Sequence, residues 1–338
     1  MKQGLIWLTG ILGMFMFLTS CGNSSNKSDK EYEHALNTDN SIQLLTEEIK
    51  QDSSNYDLWK KRASLYLEEG NVDFAFRDIN RALELNKKDP ALFLLLADVY
   101  FTIGKVENSL ASIRKAISLA PDNQEGYMKM ARVKLILRKY QSADSFADKV
   151  LTINPDNAEA YYIKGVSALE QRDSAGCIRL MKVAAALDTG FFAANLNLAV
   201  VLDAKNDASA VKYYKKAIEI KPDNTLALYS LAMLYQKEKQ FKKALTVYDT
   251  LISRHPDNAE ARFNKGYIFL TDYLEFEKAE QEFKKAIEIK PDYTEAVYNL
   301  GRVYEAMGDT AKAKEKYREA LKLTTNYPLA IDGLNRLE

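Results

Sequence analysis

A fixed period of about 34 residues runs through this chain and limits what it can fold into. The phrase Lys215–Asp223, "KKAIEIKPD", returns letter for letter at Lys284–Asp292. Pro121, Pro155, Pro222, Pro256 and Pro291 mark one register, which extends through Ser53, Lys87, Thr189 and Thr325 at steps of 33 to 35 residues. Four of the prolines open Pro-Asp-Asn and the fifth opens Pro-Asp-Tyr. Units of this length are single supersecondary modules, too small to bury an apolar face alone, so neighbours must stack to share a core. The period therefore predicts a solenoid, with the proline phrase as punctuation between units.

Two columns in the register stay small. The eighth position of each unit reads Ala63, Ala97, Ala131, Gly165, Ala199, Ala232, Gly266 and Gly301. The position twelve before the punctuation reads Ala75, Ser109, Ala143, Cys177, Ala210, Ala244, Ala279 and Ala313. Two antiparallel helices pack closely only where one offers no bulk at the crossing. Larger residues fill the space beside it, namely Ile79, Ile113, Met181, Tyr214, Tyr248, Phe283 and Tyr317, with Ala147 as the departure. Gly70, Gly104 and Gly308 stand where C-caps of first helices belong, and the Asp or Asn after each proline can N-cap the next helix. The unit that is one residue short, near Lys205–Asp207, and the unit that is one long, near Asp272–Leu274, are expected to differ in turns.

Period and pattern together resemble the tetratricopeptide repeat. That resemblance implies an all-α fold, a right-handed superhelical solenoid of eight helix–turn–helix repeats at 56–89, 90–123, 124–157, 158–191, 192–224, 225–258, 259–293 and 294–327. The segment 40–55 carries Ile42, Leu45 and Ile49 at helical spacing and reads as a partial N-terminal capping helix; 328–338 reads as a short C-terminal one. Terminal caps with a polar outer face are what an open stack requires.

The first twenty residues belong to another class of segment. Lys2, an apolar run from Leu5 to Leu18 and small residues before Cys21 read as a secretory signal peptide. Leu18-Thr19-Ser20-Cys21 also resembles a bacterial lipobox, which implies cleavage before Cys21 and acylation of that cysteine. Several acyl chains on one residue suffice for durable anchoring, whereas a single chain does not. Gly22 in place of an aspartate favours the outer membrane of the envelope. The polar stretch 21–39 is expected to be a flexible linker; about 16 such residues reach roughly 20–24 Å.

Charge and composition narrow the function. Forty-seven basic residues balance 47 acidic ones, which argues against a nucleic-acid partner. The two histidines, His34 and His255, lie far apart, and no nucleophile–base pair, metal cluster or phosphate loop stands out. No cofactor, metal or catalytic residue is expected. Cys177 occupies a small-residue column and reads as a buried packing residue.

In the resembling family, positions two, five, six, nine, twelve and thirteen of each repeat face a groove lined by first helices. Repeats two to five offer apolar residues at many of these positions, with Leu94, Met128 and Tyr162 as candidate partner contacts. The helix "ALFLLLADVYF" is apolar almost all round, so neighbouring repeats, a partner helix or a second copy of the chain must cover it. Later repeats place Asn197, Asn264 and Asn299 near Tyr229, Phe263 and Tyr298. A carboxamide both donates and accepts, so a ladder of them can read an extended peptide by its main chain. The lysine–asparagine clamp of chaperone-tail binders is absent, because Ser64 follows Lys60 and Leu95 stands at position six of the next repeat. The favoured reading is a non-enzymatic, lipid-anchored adaptor that takes a peptide or helix of an envelope protein. A glycan- or nutrient-binding lipoprotein is the alternative, weakened by the uniform repeat length and by Trp59 as the sole tryptophan after Cys21.

Overall fold

The computed structural model describes residues 27–338, with side chains from residue 38 onward. The described residues form eighteen α-helices, α1–α18 in chain order, and no strand. After α1 (Lys27–Gln51), first helices start on the repeat register: α2 (Tyr56–Glu68), α4 (Pro90–Thr102), α6 (Gln124–Ile136), α8 (Ala158–Glu170), α10 (Phe192–Ala204), α12 (Thr225–Lys237), α14 (Ala259–Ile268) and α16 (Thr294–Ala306). Each is followed by a second helix: α3 (Val72–Leu85), α5 (Val106–Leu119), α7 (Tyr140–Ile153), α9 (Ser174–Leu187), α11 (Ala210–Ile220), α13 (Phe241–Arg254), α15 (Phe276–Ile289) and α17 (Thr310–Leu323). The chain closes on α18 (Pro328–Arg336).

Local chemistry explains the starts. Side chains of Asn55, Asp89, Asn123, Asn157, Asn224 and Asn258 accept hydrogen bonds from the second or third backbone N–H of the helices they precede. Each satisfies a donor the helix leaves unpaired, a contribution of about 1 kcal/mol. Tyr293, the odd member of the column, caps α16 without a side-chain bond. Between first and second helices the chain turns through a left-handed residue. Gly70, Gly104 and Gly308 supply it without strain at φ 75–80°, and Arg138, Arg172, Asn206 and Lys239 adopt the same region without a glycine.

The small columns are where helices touch. Ala63, Ala131, Ala199 and Ala232 on first helices are fully buried, as are Ala75, Ala143, Cys177, Ala210, Ala244, Ala279 and Ala313 on second helices. A Cβ on Gly266 would lie 3.0 Å from the Phe283 ring, and one on Gly301 would lie 2.6 Å from the Tyr317 ring. Cys177 is a packing residue in the described structure, with burial pushing its thiol up to about 12.

The chain divides into two compact units at Ala194 and Asn195, within α10. Unit 1 contains α1 to α9. Its core clusters join Ile79, Leu96 and Val99 in one group and Ala97, Ile113 and Met130 in the next. Unit 2 contains α11 to α18, and one continuous cluster runs from Leu270 through Phe283, Val297 and Tyr317 to Ala330.

Two expectations need correction. The segment expected to be a flexible linker up to residue 39 is helical from Lys27, so α1 is longer than the 40–55 cap and ends sooner, at Gln51. No Gly or Pro interrupts 27–51, and Glu, Lys, Ala and Leu are helix formers, so propensity carries the helix outward. The extra residue near Asp272 is not taken up by a loop. It is wound into a π-helical turn, Phe269–Tyr273, in which the N–H of Leu274 bonds to the carbonyl of Phe269 and Leu274 takes φ 56°. An i→i+5 bond accommodates one more residue per turn than the α-helix does. The short repeat does differ in a turn, at Asn206, and its second helix is correspondingly brief. The residues of the signal peptide and Cys21 lie outside those described.

Candidate functional site

Unit 1 bears a pocket of about 280 Å³ lined by Lys60, Lys61, Ser64, Ala91, Leu94, Leu95, Asp98, Glu125 and Lys129. Every one occupies position two, five, six or nine of the first three repeats, which places the groove-facing columns of α2, α4 and α6 around one cavity. Leu94 and Leu95 supply apolar walls, and the lysines and carboxylates form the rim. Lys60 Nζ donates to Asp89 Oδ2 at 2.9 Å and lies 2.8 Å from Asp57. Burial works to lower the Lys60 pKa, but its bonds to Asp57 and Asp89 outweigh that and leave it raised. Lys129 Nζ donates to both oxygens of Asp98, at 2.8 and 2.7 Å. Lys61 and Glu125 are exposed, which leaves one cation and one anion facing solvent on the rim.

The apolar helix α4 is covered by its own neighbours. Leu92, Leu94, Ala97 and Val99 are buried and no residue from Ala91 to Phe101 is exposed. Leu94 and Met128, expected as groove contacts, are therefore mainly core residues at 3% and 5% exposure. Tyr162 is similarly buried, its ring tilted on Phe191 at 5.0 Å.

In unit 2 positions five and six are mostly aromatic or amide, while position two carries Glu260 and Glu295. Tyr229 packs edge-on against Tyr248 at 6.3 Å, and Phe263 lies 5.7 Å from Phe283 and 5.1 Å from Tyr293. Tyr298 stacks obliquely on Tyr317 at 5.5 Å and meets the edge of Tyr327 at 5.6 Å. The asparagines were expected to stand open to a peptide. Instead Asn197, Asn264 and Asn299 are buried. Asn264 donates to the Tyr229 hydroxyl at 3.0 Å; Asn299 donates to the Glu295 carbonyl at 2.7 Å and accepts from Arg302 at 2.9 Å. A buried polar side chain left unbonded costs about 1–3 kcal/mol, so the fold has drawn these two onto internal partners. Burial raises the Tyr229 pKa, against the bond from Asn264.

The rim of the unit 1 pocket was not legible as a site beforehand. Its signal was the charge at positions six and nine of the first three repeats, Lys61, Asp98 and Lys129, where position six of every later repeat is uncharged. Among the described residues, no group of three or more His, Cys, Asp or Glu is arranged to hold a metal ion. No helix among them is long and apolar enough to cross a membrane.

Four tetratricopeptide-repeat family models match the chain, at residues 90–123, 202–262, 275–308 and 294–327. Among curated proteins, the chain is 31% identical over 134 residues to the human protein O-mannosyl-transferase TMTC3, covering 40% of this chain and 14% of that protein. It is 32% identical over 116 residues to the type IV pilus assembly protein PilF of Pseudomonas aeruginosa, covering 34% of this chain and 46% of that protein. The matches thus span less than half the length of either relative. The solved structure of PilF superposes with a TM-score of 0.54 at 18% identity, over 61% of this chain and 94% of that one. The C-terminal part of a tetratricopeptide-repeat protein from Cytophaga hutchinsonii superposes with a TM-score of 0.61 at 17% identity, over 71% of this chain and 98% of that one.

Proposed function

We propose that this chain, which carries tetratricopeptide repeats, is a non-enzymatic adaptor of the bacterial envelope, anchored by acyl chains on Cys21, that takes a segment of a partner protein on its first-helix face. The observation that supports this most directly is the unit 1 pocket, because all its lining residues fall on groove columns and none on the outer face. Leu94 and Leu95 offer an apolar seat, while Lys61 and Glu125 give it orientation through charge of both signs. Apolar seats with a few placed polar groups are the usual composition of a recognition pocket. A relative named for pilus assembly lends weight to an envelope role. Fold alone grants no reaction, and the match to a transferase covers only 14% of that enzyme.

Photo-crosslinking in intact cells tests the reading. A benzophenone residue replacing Lys61, Glu125 or Tyr293 should capture one recurring partner, whereas the same residue at Lys149, exposed on a second helix, should capture none. Adducts from Lys149 alone would place recognition on the outer face. The anchor has its own test: Cys21→Ala should abolish palmitate incorporation, and equal labelling of the variant would remove the anchor from the reading.

A further inference from the structure

Repeats seven and eight build one arrangement of a carboxylate and two rings twice and differ in charge at a single member. In repeat seven, Glu260 at position two, Phe263 at position five and Tyr293 at the end of the repeat come together. The Phe263 and Tyr293 rings are 5.1 Å apart. A lysine of the same repeat completes the group, with Lys290 Nζ 4.9 Å from the Tyr293 centroid and 3.6 Å from Glu260. An ammonium thus rests between an aromatic face and a carboxylate, the geometry in which both attractions act together.

Repeat eight places Glu295, Tyr298 and Tyr327 at the equivalent positions, 34 or 35 residues on. The two rings are 5.6 Å apart. Here the residue in the place of Lys290 is Thr324, whose hydroxyl hydrogen-bonds that of Thr294 at 2.8 Å. Glu295 is exposed and has no ion-pair partner among the described residues. Burial, then the Glu295 charge, raise the Tyr327 pKa. The nearby Arg302 is turned to Asn299. Negative charge and aromatic surface remain, and the cation that answers them in repeat seven is missing from the sequence of repeat eight.

We propose that Glu295 and Tyr327 receive the ammonium of a lysine presented by the partner segment, in the way Glu260 and Tyr293 receive Lys290, with the buried Tyr298 ring packed against Tyr327. The proposal rests on the reading of the first-helix face as a partner-binding surface and assigns that partner a lysine at its repeat-eight end. Charge complementarity selects the occupant: a neutral or acidic side chain would leave Glu295 unanswered, and a lysine supplies what the neighbouring repeat supplies from within.

The probe is the peptide Ac-Ala-Lys-Ala-NH2, titrated into the full chain carrying ring-labelled tyrosine and followed by NMR. Saturable shifts of the Tyr298 and Tyr327 signals are expected, with no such response to the same peptide acetylated on the lysine. Glu295→Gln should weaken binding roughly two- to five-fold, the range of an exposed ion pair. Thr324→Lys should fill the place from within and remove the response, while Thr324→Ala, which loses the same hydroxyl bond to Thr294 and adds no cation, should keep it. Equal shifts with the acetylated peptide, or a Thr324→Lys chain that titrates like the parent, would overturn the proposal. The peptide carries no partner sequence, so this failure leaves the crosslinking result standing, and failed crosslinking leaves the titration standing.

Discussion

The first-helix faces of the two compact units share a backbone plan and carry opposite chemistry. Unit 1 walls its pocket with leucines and stores polarity in ion pairs at the rim, Lys60 with Asp57 and Asp89, Lys129 with Asp98. Unit 2 fills positions five and six largely with aromatic rings and carboxamides, bonded to one another and to the backbone, and keeps carboxylates at position two. Ion pairs weaken with salt and neutral hydrogen bonds do not. The contrast teaches that the repeat fixes where a side chain stands and leaves open what it does there, so one module can carry two side-chain chemistries along a chain.

The strongest test of this contrast concerns how far the unit 1 wall is also core. Leu94→Ala should cost about 2–5 kcal/mol, the range for a buried leucine truncated to alanine, because only 3% of Leu94 is exposed. Chemical denaturation measures it; a loss below 1 kcal/mol would mean that the wall is surface. Next in size is Gly301→Ala in unit 2. Its new Cβ would stand 2.6 Å from the Tyr317 ring, and overpacking of this kind costs about 1–3 kcal/mol. Ala97→Gly at the equivalent unit 1 position should cost only about 0.5–1 kcal/mol through helix propensity, so equal losses would erase the difference in crossing geometry.

Smaller effects sharpen the polar side of the comparison. Asn264→Ala and Asn299→Ala each remove internal hydrogen bonds and should lower stability by about 0.5–1.5 kcal/mol. Unchanged thermal unfolding would return both carboxamides to an open groove. Smallest is the tie of the C-terminal cap, where Arg336 bonds both oxygens of Glu305, which also accepts from Tyr317. The hydrogen bond from Arg336, followed by that from Tyr317, holds the Glu305 carboxyl below its ordinary 4.5 despite opposing burial. A depressed folded value means that this stabilisation is fully present above 4.5 and is lost as pH falls through the lower value. Hydrogen exchange of α18 amides should therefore quicken in acid. Arg336→Ala should reduce that pH dependence, leaving the part due to Tyr317, at a cost of about 0.2–1 kcal/mol.

Helix starts were legible because turn chemistry is local: proline, then aspartate, then an asparagine cap, repeated in the letters themselves. The small columns were legible for a similar reason, since Ala63 and Ala75 or Gly301 and Ala313 announce close approach by lacking bulk. The candidate site was less so. Asn264 and Asn299 sit in groove columns, but whether a carboxamide faces solvent depends on what lies opposite, and Tyr229 and Arg302 are 35 and 3 residues away in sequence. The Lys129–Asp98 bond spans 31 residues, so the pocket rim exists only once helices stack. Glycines flagged three of the left-handed turns; Arg138, Arg172, Asn206 and Lys239 adopt that conformation with no such flag.

The π turn at Phe269–Tyr273 has a bearing on how such a chain changes length over generations. An added residue inside an α-helix rotates everything beyond it by about 100°, which would swing each later face out of line. Here the wider turn absorbs the surplus within one coil, and Phe283 still meets Gly266 as Tyr317 meets Gly301. The gene can thus gain a codon in one repeat without scrambling the alignment of the next. Removing one residue from 270–273 would be a reversion to standard pitch, with the faces downstream keeping their phase.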